Sequence, residues 1–288
     1  MTDTATPAWA TLPALMYHSV SAIGGPLGDL AVPPSRLTEH FTALTAAGYR
    51  LVGLAEALDL LAAGADLATG ADNAAGPGKA AGSTDKLVAV TFDDGYRNFL
   101  TAGLPVLAAT GARATLYASV GHLGDRAGWL GRWAPDFGRL LTWDELAEVA
   151  DAGVEIGNHS LVHHPLDVLP PDQLRNEIVR SHGELEQRLG RKVRGFAYPH
   201  GYNGRRVRDV VRETGYDHAT EVGRRLHRPG DNRFAVPRLQ PTPAHTGEDL
   251  VALVSGGGSQ LVPQMKRLAQ PAWRVARKVA LRSGRTLT

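Results

Sequence analysis

The chain has no cysteine among its 288 residues. That excludes a disulfide framework and any thiolate ligand, so oxygen and imidazole must hold whatever metal the protein binds. No apolar run approaches the roughly 18 residues that a membrane-spanning helix needs. The amino-terminal stretch MTDTATPAWATLPALMYHSV lacks the basic start and continuous apolar core of a secretion signal, and the expectation is a cytoplasmic enzyme. Large apolar side chains are scarce in GADLATGADNAAGPGKAAGSTDK, residues 64–86, which therefore reads as a disordered loop dispensable for chemistry. Acidic residues stop at Asp249, whereas Lys266, Arg267, Arg274, Arg277, Lys278, Arg282 and Arg285 follow it. Those charges exceed the formal net of +2 for the whole chain, so the basic character belongs to the tail and the body is acidic. Apolar residues from Leu261 to Leu281 are interleaved with them in a pattern that allows a basic amphipathic helix interrupted at Pro271. Such a helix either lies on an anionic membrane, here the inner face, or packs one side on the body. No nucleic-acid-binding fold accompanies the charge, and nucleic acid is not an expected partner.

A hydrophobic fraction of 43% is ordinary for a globular protein, and no internal repeat is visible. Strand-like and helix-like segments alternate. Strands are expected at 12–17 and near 87–92, 114–119, 153–157, 193–197 and 234–239. Helices are expected at 34–47 and 54–63, and near 98–110, 142–152, 171–189 and 204–214. Alternation of this kind argues for a parallel sheet with covering helices. The organisation is one catalytic domain over residues 1–258 and a basic tail over 259–288.

Two motifs carry the chemistry. The apolar run Leu87 to Phe92 ends in Asp93 and Asp94, then Gly95. An isolated Asp-Asp-Gly is most often only a turn. Here a second apolar segment, Val154 to Gly157, runs into His159 and His163, whose spacing of four lets both imidazoles converge if the segment turns helically. One carboxylate and two imidazoles make three ligands and leave a zinc-type ion an open position for water, as in a catalytic site. Motif residues at strand ends point to the C-terminal face of a barrel.

TFDDGY at 91–96, NHSLVHHPL at 158–166 and FAYPHG at 196–201 resemble, in order, the first three motifs of the polysaccharide deacetylase family, the NodB-homology or carbohydrate esterase 4 family. The resemblance runs from about Leu12 to Val254 and implies a distorted (β/α)7 barrel. It also implies Asp93 as general base and Asp94, His159 and His163 as ligands of a divalent metal, Zn2+ before Co2+, Ni2+ or Mn2+. His164 follows directly and is the alternative ligand. LMYHSV at 15–20 resembles the first strand of the poly-N-acetylglucosamine deacetylase branch, which makes His18 the candidate general acid; His218, His227 and His245 lie in unrelated contexts. Where many members carry an arginine in the third motif, this chain has Ala197. Arg238 resembles the arginine of the same branch and is the candidate to hold Asp93, with Arg194 as the alternative. The amide of His200 is the candidate oxyanion donor, Gly201 would let backbone approach the substrate, and Tyr198, Pro199 and Leu166 would contact it; Tyr17 and Trp143 are further aromatic candidates.

The activity implied is removal of acetyl groups from an N-acetylated amino sugar in a polysaccharide, oligosaccharide or glycoconjugate. An O-acetyl esterase or non-sugar amidase would use the same metal and base. A sugar-binding barrel without turnover is the remaining alternative, and the intact Asp93, Asp94, His159 and His163 set argues against it.

Overall fold

The computed structural model describes residues 11–69 and 86–256, with side chains described outside 64–69. Eight strands occur among them: β1 (Ala14–Tyr17), β2 (Tyr49–Val52), β3 (Lys86–Phe92), β4 (Thr115–Ala118), β5 (Glu155–Asn158), β6 (Gly195–Ala197), β7 (His218–Val222) and β8 (Val236–Arg238). Seven of them run in parallel in the order β1-β3-β4-β5-β6-β7-β8. The ends of that row meet, because the Met16 amide donates to the Leu239 carbonyl at 2.8 Å and the Leu239 amide to that of Ala14 at 2.7 Å. The result is a nearly closed seven-stranded barrel, the (β/α)7 architecture the motifs imply. β2 stands outside this ring and pairs with the first half of β3, from Tyr49↔Lys86 to Val52↔Ala89.

The strands read as apolar runs because parallel strands are covered on both sides. The helices that cover them are α1 (Pro34–Ala46), α2 (Leu54–Thr69), α3 (Leu104–Thr110), α4 (Ala134–Phe137), α5 (Trp143–Asp151), α6 (Pro171–Arg175), α7 (Ser181–Leu189), α8 (Arg205–Thr214) and α9 (Gly247–Val254). Their starts follow from local chemistry. Proline occupies the first turn of α1 and α6, where an amide would have no partner, and reciprocal capping boxes open α5 (Thr142 with Glu145) and α9 (Thr246 with Asp249). The expected helix at 171–189 is α6 and α7 joined through a π-turn, Asn176–Arg180.

Inside the barrel Tyr117 lies against Gly157, where a Cβ would come within 2.3 Å of its ring. The Tyr117 hydroxyl is 3.4 Å from His218 Nε2, and the Arg238 guanidinium sits 5.7 Å from the centre of its ring.

Strands β2 and β7 were not expected from the sequence. Of the segment 64–86 expected as a loop, residues 64–69 continue α2 and Lys86 opens β3. Residues 70–85 and the tail at 259–288 lie outside the described residues. No helix among the described residues is long and apolar enough to cross a membrane.

Candidate active site

Strand register assembles the site. Tyr17 pairs with Phe92, and the Asp93 amide donates to the Tyr17 carbonyl at 2.9 Å, so the next residues, His18 and Asp93, emerge side by side. Asn158 pairs with both Ala118 and Phe196, which brings His159 out between β4 and β6. β8 ends at Arg238. Each side chain therefore leaves the C-terminal end of a barrel strand, where such folds collect their reactive groups.

Arg238 reaches Asp93 with both terminal nitrogens, Nη1 to Oδ1 at 2.6 Å and Nη2 to Oδ2 at 2.7 Å. Nη1 also donates to Thr91 Oγ1 at 2.9 Å, and the Thr91 hydroxyl donates to the Leu15 carbonyl at 2.7 Å. Thr91, on β3, and Asp93, just past its end, are two apart and both meet Arg238 Nη1. Arg194, the alternative partner, instead holds Asp59 and Asp217. Burial alone would raise the Asp93 pKa, but the charges of Arg238 and His159 outweigh it and keep the carboxyl below its ordinary value.

Asp94, His159 and His163 form a buried group whose ligand atoms all lie within 4.8 Å of one another. His159 Nε2 is 3.5 Å and His163 Nε2 3.3 Å from Asp94 Oδ1. Neither contact has hydrogen-bond geometry, which leaves Asp94 Oδ1 buried without a partner. Such spacings suit ligands that share an ion, because legs of about 2.0 Å in a tetrahedron give edges of about 3.3 Å. The residues therefore fit a zinc-type cation. His159 is oriented for it by its other nitrogen, Nδ1, which lies 2.8 Å from the Ala197 carbonyl. Burial works to raise the Asp94 pKa, and the two imidazoles hold it well below the carboxylate range. For His159 burial is outweighed by Asp93 and Asp94 and the pKa rises, whereas for His163 burial prevails and the pKa falls.

The two histidines do not converge on a helical turn, as their spacing suggested. Residues 159–165 are irregular, with φ of 65° at Ser160 and 59° at His163. Asp94 (φ 73°) and His200 (φ 58°) are left-handed too, so four of the five positive-φ residues other than glycine among the described residues lie in this site. Conformations of this kind cost energy and collect where chemistry fixes a side chain. His164 turns away, half-exposed, and its Nδ1 lies 3.1 Å from Glu177 Oε1.

Glu177 escaped sequence reasoning. It sits on the π-turn, buried, and its Oε2 accepts the amides of Leu161 at 3.1 Å and Val162 at 2.9 Å, which pins the loop that carries His163. π-turns within helices recur at functional sites. Trp129 was missed as well. It stacks on His163 with ring centres 4.1 Å apart and planes 13° from parallel.

His18 is half-buried and feels the charges of Asp94, Asp93, Arg238 and His159; burial lowers its pKa against the pull of the two carboxylates. His218 lies within the barrel, His227 bridges to Leu12, and His245 contacts Thr242. His200 packs edge-on against His163 at 4.6 Å between ring centres. Gly201 does permit a close approach, but to the neighbouring strand: a Cβ there would meet the Val222 amide at 2.8 Å. Tyr198 is buried with its hydroxyl on the Phe234 carbonyl, Leu166 is in the core, and Pro199 is buried beside His200. Tyr17 is buried on His40, and Trp143 lies under Arg188.

The sequence profile of the polysaccharide deacetylases matches residues 80–219, a span that holds Asp93, Asp94, His159, His163 and His200. Over that span the chain matches the polysaccharide deacetylases. YxkH of Bacillus subtilis, assigned to the same family, is 26% identical over 250 residues, 85% of this chain and 76% of that protein. The poly-β-1,6-N-acetyl-D-glucosamine N-deacetylase of Escherichia coli is 28% identical over 156 residues, 52% of this chain but 21% of that protein. Among solved structures, the Streptococcus pyogenes deacetylase PplD in complex with acetate superposes with a TM-score of 0.66 at 21% identity, over 86% of this chain and 99% of that one. That likeness is one of fold. The match to the polysaccharide deacetylases supports a hydrolytic deacetylase with a carbohydrate substrate.

Proposed function

We propose that this protein is a metal-dependent N-deacetylase that hydrolyses the acetamide of an amino sugar within a polysaccharide, oligosaccharide or glycoconjugate. The observation that carries this reading is the juxtaposition of the Asp94, His159 and His163 group with a second carboxylate, Asp93, locked by Arg238. A divalent cation, Zn2+ in the first place, held by those three residues would supply Lewis acidity at an open coordination position. Asp93 takes the proton of the attacking water. Its low pKa keeps it ionised and ready to accept, and Arg238 fixes its plane. The His200 amide donates to the oxygen that gains charge as the carbonyl is attacked. His18, beside Asp93 at the end of β1, delivers a proton to the departing nitrogen, without which an amine is a poor leaving group. The E. coli relative and the first-strand histidine together favour an N-acetylglucosamine polymer as the substrate class.

Acetate release by the zinc-loaded protein across matched N-acetyl and O-acetyl sugars tests this reading. Faster release from N-acetylated oligosaccharides is the expected result, and release from O-acetyl sugars alone contradicts it. For the tail at 259–288, its seven cations and lack of acids support peripheral attachment to anionic lipid. Salt-sensitive sedimentation with anionic vesicles, lost on truncation near Val254, is the expected behaviour.

A further inference from the structure

The two imidazoles beside Asp94 are held by different means. His159 has the Ala197 carbonyl on its Nδ1. His163 Nδ1 is buried with no hydrogen-bond partner. Metal-ligating histidines almost always give their second nitrogen to an acceptor, which fixes the ring and directs the other nitrogen at the ion. The ring of His163 is instead covered face-on by Trp129, at 4.1 Å and 13°.

Trp129 is itself firmly placed. His122 meets it edge-on at 5.2 Å between ring centres, and it packs on the apolar cluster of Tyr96, Ala127, Phe137 and Leu140. The segment that carries it is tied down at both ends: the Leu140 amide donates to the Asp125 carbonyl at 2.7 Å, and the Leu141 amide to that of Gly95 at 2.8 Å. Gly95 follows Asp94 directly, so the platform for one ligand is anchored next to another.

We propose that Trp129 is the positioning residue for His163, supplying by ring stacking the orientation that His159 receives from a hydrogen bond, and that it thereby sets the metal affinity of the site. The inference rests on the reading of Asp94, His159 and His163 as metal ligands. An aromatic stack restricts the tilt of the imidazole and leaves it free to rotate in its own plane, while the chain at His163 limits that rotation. Trp129 touches the ligand and takes no part in proton transfer.

The test is Zn2+ affinity of the full chain, measured by chelator competition in wild type, Trp129→Leu, Trp129→Phe and Asp94→Ala. Trp129→Leu should weaken binding about 10- to 100-fold, the usual cost of losing an orienting partner. Trp129→Phe, which still stacks, should retain most of the affinity, and Asp94→Ala should abolish it. Unchanged affinity in Trp129→Leu alongside a loss in Asp94→Ala overturns the proposal and spares the metal site. A wild type that binds no Zn2+ overturns both. A second readout does not depend on Trp129→Leu folding. Ni2+ should quench wild-type tryptophan emission as it binds, and most of that quench should vanish in Trp129→Phe while the ion still binds. An equal quench in that variant means that Trp129 does not cover the ligand ring, and the proposal falls.

Discussion

Arg238 and Asp93 meet through two parallel contacts of 2.6 and 2.7 Å, with their side chains 0% and 3% exposed. A buried pair of this kind is costly to break on one side, because about 3–5 kcal/mol goes with the charge left behind. Asp93→Asn and Arg238→Met should each destabilise the protein in denaturant titrations, and the double variant should recover part of the loss. Turnover should fall about 10²- to 10⁴-fold in Asp93→Asn, with metal content unchanged, and should not return in the double variant. Additive destabilisation would deny the coupling.

His18 is expected to matter according to the leaving group. His18→Ala should keep the metal and lose most turnover on acetamides, yet retain it on aryl acetates, whose phenolate departs without a proton. Equal losses on both substrates would assign the residue a structural part only.

His163 and His164 are adjacent and face opposite ways, one towards Asp94 and the other towards Glu177. His163→Ala should lower zinc content to near zero. His164→Ala should keep close to one ion per chain. Elemental analysis after dialysis separates them, and the reverse outcome would move the ligand by one position.

Glu177→Ala should leave the amides of Leu161 and Val162 without an acceptor, at about 1–3 kcal/mol for each buried group. Unfolding titrations should show that loss, and chelator competition should show weaker metal binding because the His163 loop is released. Glu177→Gln keeps an acceptor oxygen and should restore most of both.

His218 bears on acid sensitivity. Burial, with the charges of Arg194 and Arg233 adding to it, pushes its pKa down to about 3. The folded value lies below the unfolded value of about 6.5, so its contribution to stability is complete above that pH and is lost as pH falls towards 3. Melting curves of wild type should therefore drop more steeply between about pH 6.5 and pH 4 than those of His218→Leu, whatever the offset between the two. Parallel curves would mean that His218 protonates at little cost.

Much of the barrel was legible because its strands are uninterrupted apolar runs and its helices begin at prolines and capping boxes. β2 and β7 were not. Tyr49-Arg50-Leu51-Val52 and His218-Ala219-Thr220-Glu221-Val222 are short and carry polar side chains, and their strand character comes from the neighbours that pair with them. The motif acids and histidines could be read because they end apolar segments. Arg238 was reached only through resemblance, since nothing in its local sequence announces a partner 145 positions away. Glu177 and Trp129 act through contacts that no spacing rule describes, the first from a π-turn within an apparently regular helix, the second from a segment with no periodicity. The helical convergence expected of His159 and His163 gave way to a kinked loop because Glu177 holds the amides of Leu161 and Val162 while His159 is fixed at the barrel rim, and the local backbone yields.

Asp94, Ser160, His163 and His200 hold left-handed backbone without being glycine. At each of them glycine would relieve the chain, and at Asp94 and His163 it would also remove a side chain of the candidate metal site, so selection for thermal stability alone would push these positions towards glycine. A stabilised descendant obtained that way would keep its barrel and lose two of the three residues that could hold an ion. Screens for robust variants of this protein are best run with metal retention as a second criterion, since at Asp94 and His163 folding and metal binding favour different residues.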